Sequence, residues 1–273
     1  MRIARFSYGD PDVAGFAFGA IGGSPGAEEV AVINGHPFGE ITFSGLRLPL
    51  AGVRLLPPVL PSKVVAIGKN YADHAREMGG EAPAEPVLFL KPSTSVIGPG
   101  AAISYPKLST HVDFEGELAV VIGRLCREVP VERVPEVILG YTCANDVTAR
   151  DLQKADGQWA RAKGFDTFCP IGPWIDTDVD PSDLAITTTV NGDVKQNART
   201  SLLLHDVVKL VAFVSDAMTL LPGDVILTGT PAGVGPIVPG DEVSVTIEGI
   251  GTLTNTVVGT VGTVGASRSG ESR

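Results

Sequence analysis

The stretch that most constrains the fold is VDFEGELAVV, residues 112 to 121, in which two glutamates precede an apolar run. Successive side chains of a β-strand point to opposite faces, so Glu115 and Glu117 would share one face. Two carboxylates side by side on a half-buried strand repel each other and are costly to desolvate. A bound divalent cation would remove both costs, whereas a solvated acidic face would avoid them. The residues alone leave both interpretations open.

Three more side chains are candidates for the same site. Asp113 has the same strand parity and could be a third ligand or an acceptor behind the ligands. Asp146 ends the next predicted strand, VILGYTCAN, and is a second candidate for the third ligand. His111 could border the site, although a single histidine at a strand start is more often structural. Mg²⁺ and Mn²⁺ are the hard ions that such carboxylate oxygens hold.

Gly and Pro divide the chain into short apolar runs. The 273 residues include 33 Gly and 21 Pro, which is typical of turn-rich β structure. We expect a mainly β protein with a few helices. Residues 1–58 would form a small N-terminal β domain, ended by the Pro-rich segment LPPVLP, and residues 59–260 would form a second, larger domain. The polar residues 261–273 would form a flexible tail.

The charge and the cysteine content of the chain disfavour several classes of function. The formal net charge is −10, which disfavours binding to nucleic acid or to an anionic membrane. The N-terminus lacks the apolar core of a signal peptide, and no apolar run could span a bilayer. The three cysteines fit neither a disulfide framework nor a zinc site. Buried free thiols in a cytoplasmic protein are the simplest interpretation.

Two stretches of the sequence show helical patterns, and the first carries candidate catalytic side chains. After the strand KVVAIG, residues 70–77 predict one or two helical turns, ended by Gly79 and Gly80. His74 and Glu77 would share one side of that helix. The carboxylate could orient the imidazole and raise its basicity, although an ordinary surface charge pair would have the same spacing. The clearest helical pattern spans residues 204–218 and has His205 in its first turn.

Cationic and hydroxyl side chains follow the acidic stretch. Arg150 lies one predicted helical turn beyond Asp146 and could face the same site. Lys163 stands in the Gly-flanked, apolar context KGFDTF, where it is either a clamp for a substrate anion or a surface lysine. The Gly-rich segment LPGDVILTGTPAGVG lacks the lysine of a nucleotide P-loop. Its amides and Thr230 could still bind a carboxylate.

Taken together, these motifs resemble the fumarylacetoacetate hydrolase family. Five blocks carry the resemblance, in the family's order, between about residues 63 and 258: GKNYADHAREMG, VDFEGELAVVIG, GYTCANDVTARDLQ, AKGFDTFCPIGPW and LPGDVILTGTPAGVG. The arrangement is similar to that of the smaller bacterial members and the acylpyruvase-type hydrolases. The resemblance implies a mixed β-sandwich roll with a small N-terminal β domain. It also implies a homodimer and a Mg²⁺ or Mn²⁺ cofactor.

The same resemblance implies a role for each matching residue. The implied metal ligands are Glu115, Glu117 and Asp146. The implied catalytic residues are His74, Glu77 and Lys163. The implied substrate-binding residues are Arg150, Gln153 and Thr230.

The resemblance implies activity on a 2-oxo (β-keto) acid through an enolate that the metal stabilises. The chemistry we expect is cleavage of a C–C bond, either hydrolysis of an acylpyruvate or fumarylpyruvate or decarboxylation of oxaloacetate. An isomerase of the 2-hydroxyhepta-2,4-diene-1,7-dioate type needs the same residues and is an alternative. A catalytically silent metal-binding protein is a further alternative. The His74–Glu77 pair argues against that one, because a binding module needs no base.

Overall fold

Strands dominate the part of the chain that the structure, a computed structural model, describes, which is residues 1–9 and 15–259. The helices in that part are α1 (Ala72–Glu77), α2 (Arg150–Asp156), α3 (Ala160–Lys163) and α4 (Val207–Ala217). The strands are β1 (Arg2–Tyr8), β2 (Gly15–Gly22), β3 (Glu29–Ile33), β4 (Phe43–Pro49), β5 (Arg54–Leu55), β6 (Val64–Gly68), β7 (Val87–Lys91), β8 (Val96–Ile97), β9 (Ile103–Ser104), β10 (Val112–Phe114), β11 (Gly116–Ile122), β12 (Ile138–Asn145), β13 (Thr148–Ala149), β14 (Cys169–Asp176), β15 (Ala185–Val190), β16 (Asp193–Arg199), β17 (Val225–Leu227), β18 (Gly235–Pro236), β19 (Glu242–Ile247) and β20 (Gly251–Val258). Short 3₁₀ turns join some of them, at Leu50–Gly52, Ser93–Ser95, Val131–Glu136, Pro181–Asp183 and Thr200–Leu202.

The strands form three sheets. The largest has 12 strands, in the order β4-β3-β2-β1-β14-β12-β11-β17-β6-β7, with β5 and β8 attached to β1 and β14. The second sheet has the order β13-β10-β18, and the third has the order β16-β15-β19-β20-β9. Most neighbours are antiparallel, but β17 and β6 run parallel. The prediction of a mainly β, mixed-sheet protein with a few helices is confirmed.

Strand β11 is buried on both faces. Leu118 and Val120 pack in the apolar cluster that contains the buried side of α4, including Leu210. Ala119 and Val121 face a second apolar cluster on the other side of the sheet. A strand covered on both faces reads as an unbroken apolar run, which explains the sequence LAVVI. The strand that carries Glu117 is therefore fixed between two cores.

The prediction of one continuous strand over residues 112–121 is wrong at Glu115. Strand β10 lies in the three-stranded sheet, whereas β11 lies in the large sheet. At the junction, the Glu115 N–H donates to Oδ1 of Asn145 at 2.9 Å, and the Gly116 N–H donates to Oε1 of Gln196 at 2.9 Å. Because side chains satisfy these two donors, the chain can leave one sheet and enter the next without unpaired buried amides.

The N-terminal strands extend the large sheet. β1 pairs with β14, which aligns Arg2 with Asp176 and Ile3 with Ile175. The division into domains at residue 58 stays a prediction, and the predicted tail, residues 261–273, lies outside the described residues. Within residues 1–9 and 15–259, no helix is long and apolar enough to cross a membrane.

Helix α4 begins later than its sequence pattern predicts. Oδ1 of Asp206 accepts the Lys209 N–H at 2.8 Å, so Asp206 is the N-cap. His205 therefore precedes the helix, and its predicted position in the first turn is wrong. The cysteines are free thiols: Cys143 and Cys169 are buried, and Cys126 is half-buried.

Asp224 joins the turn before β17 to the start of β6. Its side chain is fully buried. Oδ1 accepts the Ser62 hydroxyl at 2.6 Å, and Oδ2 accepts the Leu221 N–H at 2.8 Å and the Lys63 ammonium. Burial alone would raise the pKa of Asp224, but these donors outweigh burial and hold the pKa below its ordinary value of 3.8. The ionised carboxylate therefore stabilises the fold.

The variant Asp224→Asn should lower the free energy of unfolding at pH 7 by about 2–3 kcal/mol, because a buried charged acceptor of several hydrogen bonds is lost. Since the folded pKa is depressed, the stabilisation is complete above pH 3.8 and is lost as the pH falls through the folded value. The difference between the two proteins should therefore shrink in acid. Urea titrations at several pH values would measure it. The exposed Asp216→Asn is the matched control. Equal free energies of unfolding for the wild type, Asp224→Asn and Asp216→Asn would contradict the prediction.

Candidate active site

Three buried carboxylates meet where the large sheet joins the three-stranded sheet. Glu115 lies between β10 and β11, Glu117 lies in β11, and Asp146 directly follows β12. The antiparallel register of β11 and β12 aligns Glu117 with Ala144, two residues before Asp146. The Asp146 N–H donates to the Glu115 carbonyl at 2.8 Å. One oxygen from each carboxylate lies within 4.8 Å of the others.

Cationic side chains compensate two of these three carboxylates. Nζ of Lys163 donates to Glu115 and to Asp146, both at 2.7 Å. Nζ of Lys91 donates to the other oxygen of Asp146 at 2.5 Å, and Arg150 donates through Nη2 to Glu115. Glu117 accepts the backbone N–H of Gly229 at 2.6 Å. Among the described residues, no Lys or Arg forms an ion pair with Glu117.

The pKa values of the two glutamates are shifted in opposite directions. Burial alone would raise the pKa of Glu115, but Lys163 and Arg150 outweigh burial and hold it below the ordinary value. Burial also raises the pKa of Glu117, and there the negative charges of Asp146 and Glu115 raise it further. The charge of Lys163 and the N–H of Gly229 oppose this rise only in part, so Glu117 is the carboxylate that is least compensated.

The donor set fits a hard divalent cation. All three side chains offer oxygen ligands, which Mg²⁺ and Mn²⁺ prefer, and their spacing allows one ion to touch all three. Such an ion would also supply the positive charge that Glu117 lacks. Glu115, Glu117 and Asp146 are therefore the residues that could hold the metal.

A histidine–glutamate pair borders the carboxylates. His74 lies in α1 and is 5% exposed, and its Nδ1 lies 3.1 Å from Oε2 of Glu77. Glu77 also accepts the N–H of Gly233 at 3.1 Å. If Glu77 accepts the Nδ1 proton, the unprotonated Nε2 is free to act as a base. The predicted pairing of the two side chains is present in the structure.

Eight of the nine predicted site residues line one cavity of about 220 Å³, and the ninth, Glu77, contacts His74. The eight are His74, Glu115, Glu117, Asp146, Arg150, Gln153, Lys163 and Thr230. Its walls also include Phe89 and Trp159, whose rings make an edge-on contact with centroids 5.2 Å apart. The arrangement combines a metal-ligand set, a base and an apolar wall around a space for a small molecule.

The structure decides between the alternatives for Asp113 and His111, and it corrects the position of Arg150. Asp113 is not part of the carboxylate cluster; it is an acceptor behind the ligands, because its carboxylate accepts Nε of Arg150 at 2.8 Å and lies 2.9 Å from Nε2 of His111. His111 is half exposed and does not line the cavity. Arg150 reaches the site, but not as one helical turn after Asp146. Strand β13 intervenes, and Arg150 is the first residue of α2.

Three other side chains already have partners within the protein. Oε1 of Gln153 accepts Nη1 of Arg150 at 3.0 Å. The Thr230 hydroxyl donates to the Gly116 carbonyl at 2.9 Å and accepts Nε2 of Gln196 at 2.7 Å. Lys163 is 2% exposed and binds the carboxylates, so the interpretation as a surface lysine is wrong. Contact of these side chains with a substrate stays a prediction.

Sequence reasoning missed Lys91 and Gln196. Lys91 had one signal, since it is the single charged residue that ends the apolar run VLFL. Its ammonium is fully buried behind Asp146, at 2.5 Å from Oδ1. Gln196 had no signal, because it comes from β16, 80 residues after the Gly116 amide that it binds. It positions the junction at Glu115 and the hydroxyl of Thr230.

Comparison with known proteins decides the family. Residues 63–258 match the family model described as fumarylacetoacetate (FAA) hydrolase, C-terminal. The chain belongs to the fumarylacetoacetate hydrolase family. Residues 1–58 match a separate model, described as Rv2993c-like, N-terminal. Membership places the chain in an enzyme family whose members depend on a divalent metal.

Three relatives illustrate the similarity. The chain is 60% identical over 267 residues to "Protein Rv2993c" of Mycobacterium tuberculosis, covering 94% of this chain and 98% of that protein. It is 43% identical over 223 residues to the rat (Rattus norvegicus) mitochondrial oxaloacetate tautomerase Fahd2a, covering 77% of this chain and 71% of that protein. A crystal structure of 5-carboxymethyl-2-hydroxymuconate delta-isomerase from Mycobacterium smegmatis has a TM-score of 0.89 and 58% identity, covering 95% of this chain and 100% of that one.

The variant Lys91→Met should lower the free energy of unfolding by about 3–5 kcal/mol, because it removes a buried partner of Asp146 at similar side-chain volume. Urea denaturation at pH 7 measures the loss. Lys107→Met, at an exposed lysine, is the matched control. If the free energy of unfolding of Lys91→Met equals that of the control, the ion pair between Lys91 and Asp146 does not stabilise the fold.

Metal binding should stabilise the protein through Glu117. At a Mn²⁺ concentration about a hundredfold above Kd, the free energy of unfolding should rise by about 3 kcal/mol. Glu117→Gln should remove most of that gain. It should also raise the melting temperature of the metal-free protein at pH 7, because a neutral amide avoids the cost either of burying a charge beside two carboxylates or of protonating this carboxylate. The exposed Glu132→Gln is the control, and a metal response of Glu117→Gln equal to the wild type would contradict the assignment.

Proposed function

We propose that this protein is a metal-dependent enzyme that moves a proton to or from the carbon next to the keto group of a small 2-oxo acid. The reaction is then an isomerisation or a keto–enol tautomerisation. The observation that supports this most directly is that the buried His74, bound by Glu77, lines the same cavity as the three carboxylates.

The residues of the cavity would divide the chemistry among them. Held by Glu115, Glu117 and Asp146, a Mg²⁺ or Mn²⁺ ion would supply Lewis acidity to the oxygens of the 2-oxo acid. His74 would take or return the proton at Nε2, while Glu77 holds Nδ1. Glu77 would itself be oriented by the N–H of Gly233.

The other polar side chains would bind and orient the substrate. Arg150, Gln153 and Thr230 line the cavity and would bind the carboxylate next to the keto group. The Lys163 ammonium would lie close to the negative charge that develops when the proton leaves. Phe89 and Trp159 would exclude water from one side, which favours proton transfer between fixed groups.

The names of two similar proteins support proton transfer, which was the alternative to the C–C cleavage that we expected from the sequence. The tautomerase and the isomerase described above act, by their names, through movement of a proton. Both align with most of this chain.

Cleavage of a C–C bond is a second candidate, because the matching family model is named for a hydrolase. The His74–Glu77 pair could activate water for hydrolysis of an acylpyruvate. Decarboxylation of oxaloacetate would need no water. The two candidates differ in their products, so an assay can separate them.

Purified protein with Mg²⁺ or Mn²⁺ should change the enol absorbance of oxaloacetate, or the diene absorbance of 5-carboxymethyl-2-hydroxymuconate, without releasing pyruvate or CO₂. Pyruvate from an acylpyruvate would indicate the hydrolase, and pyruvate with CO₂ from oxaloacetate would indicate the decarboxylase. Inactivity on all of these substrates would sink the proposal.

The base can be tested apart from the metal site. His74→Asn and Glu77→Gln should lower kcat about 10²- to 10⁴-fold, while the rise in melting temperature with Mn²⁺ remains. Glu132→Gln, a matched carboxylate-to-amide change at an exposed position, should keep its activity. Full activity in both His74→Asn and Glu77→Gln would remove the pair from the mechanism.

A further inference from the structure

Lys69 has a backbone conformation that lysine rarely adopts. Its φ is +58°, in the left-handed region that favours Gly, Asn and Asp. Among the described non-glycine residues with positive φ, which are Lys69, Glu128, Thr167 and Asn191, only Lys69 lines the cavity. Such strain often persists where a side chain has a functional position.

The neighbouring residue holds this conformation. Asn70 is 1% exposed, and its Nδ2 donates to the Thr228 carbonyl at 2.8 Å and to the His205 carbonyl at 3.0 Å. Its Oδ1 accepts the His205 N–H at 2.9 Å. Three hydrogen bonds to the backbone therefore fix the chain immediately after Lys69.

The turn brings consecutive residues to the same cavity. Side chains alternate along a strand, yet Ile67, Gly68 and Lys69 all line the cavity at the end of β6. Gly68 leaves room for an aromatic ring, because a Cβ there would lie 2.7 Å from the Trp159 ring. Lys69 thus emerges beside the aromatic wall.

The Lys69 ammonium lies beside the end of the helix that carries His74. A Cβ built on Gly80 would lie 3.1 Å from Nζ of Lys69. The Gly80 N–H in turn donates to the Ala75 carbonyl at 3.0 Å, at the end of α1. The glycine therefore leaves space for the amine close to the catalytic helix.

This ammonium has no carboxylate partner in the described part of the chain. Lys91 and Lys163, by contrast, are bound to the metal-ligand carboxylates. Lys154 also lines the cavity and forms no ion pair with a described residue, but it is exposed on α2, where solvent screens its charge. In a protein of net charge −10, a half-buried, unpaired lysine in the cavity is an available site for an anion.

We propose that Lys69 binds a second carboxylate of the substrate, at the end distant from the keto group, and so makes the enzyme selective for dicarboxylic 2-oxo acids. This inference rests on the proposed function. The carboxylate next to the keto group would be bound near the metal ligands, so a second anionic group is what an additional lysine on the cavity wall can select.

The test compares pairs of ligands that differ in one group. Oxaloacetate and 2-oxoglutarate carry the distal carboxylate, and 2-oxobutyrate and 2-oxovalerate carry a methyl group in its place. Affinity of each for the Mn²⁺-loaded protein is measured by calorimetry. The wild type should prefer the dicarboxylates. Lys69→Asn should weaken their binding about ten- to a hundredfold and leave binding of the methyl analogues within about twofold.

Asn tolerates a positive φ, so Lys69→Asn should fold normally, and its circular dichroism and melting temperature verify this. Lys69→Arg keeps the charge and should keep the preference. Lys107→Asn, a lysine outside the cavity, is the matched control. Equal weakening of both ligand classes by Lys69→Asn would overturn the inference, and so would loss of the preference in Lys154→Asn instead.

The outcomes also separate the inference from the proposed function. Wild-type protein that binds all four acids without preference, and turns over 2-oxo acids, would refute the role of Lys69 while the proposed function stands. Wild-type protein that binds none of the four in the presence of Mn²⁺ would refute both.

Discussion

Charge compensation among buried groups is the interaction on which this structure depends. Lys163 bonds to both Glu115 and Asp146, and Lys91 bonds to Asp146 from the other side, so two of the buried carboxylates have cationic partners between the two sheets. Without these partners, desolvation of the carboxylates would be very costly. The same compensation leaves Glu117 unmatched, so the fold itself creates a local need for one more positive charge. Stability and metal affinity are thus two aspects of one arrangement.

Secondary-structure architecture supports that arrangement. β11 and β12 are buried in the large sheet, and their register brings Glu117 and Asp146 together. The change of sheet at Glu115 adds the third carboxylate, and the side chains of Asn145 and Gln196 satisfy the amides at this change. A single continuous strand would extend one sheet past the site, whereas the break lets two sheets meet there.

Much of the fold and of the site could be predicted from the sequence, for reasons that are local. Strand alternation and apolar runs mark β11 and β12, the spacing of His74 and Glu77 marks their shared side of α1, and the order of motifs marks the family. The break at Glu115 could not be predicted, because Gln196 supports it from a hairpin far along the chain. The buried ammonium of Lys91 and the left-handed backbone of Lys69 also depend on tertiary contacts. The apolar pattern places the start of α4 too early, because the side chain of Asp206 caps the helix at the Lys209 N–H.

The cavity has a rigid floor and a more permissive rim, and this difference has a consequence for how new specificities arise. Between the ligands Glu115 and Glu117, which line the floor, even a methyl group on Gly116 would lie 2.0 Å from Oγ1 of Thr188, so changes there would disrupt the sheet. At the rim, Lys154 is exposed and Gln153 is half-buried, and substitutions at such positions usually alter stability little. Sequence libraries confined to the rim would therefore explore different substrates at low risk to folding, whereas the floor would preserve the shared chemistry.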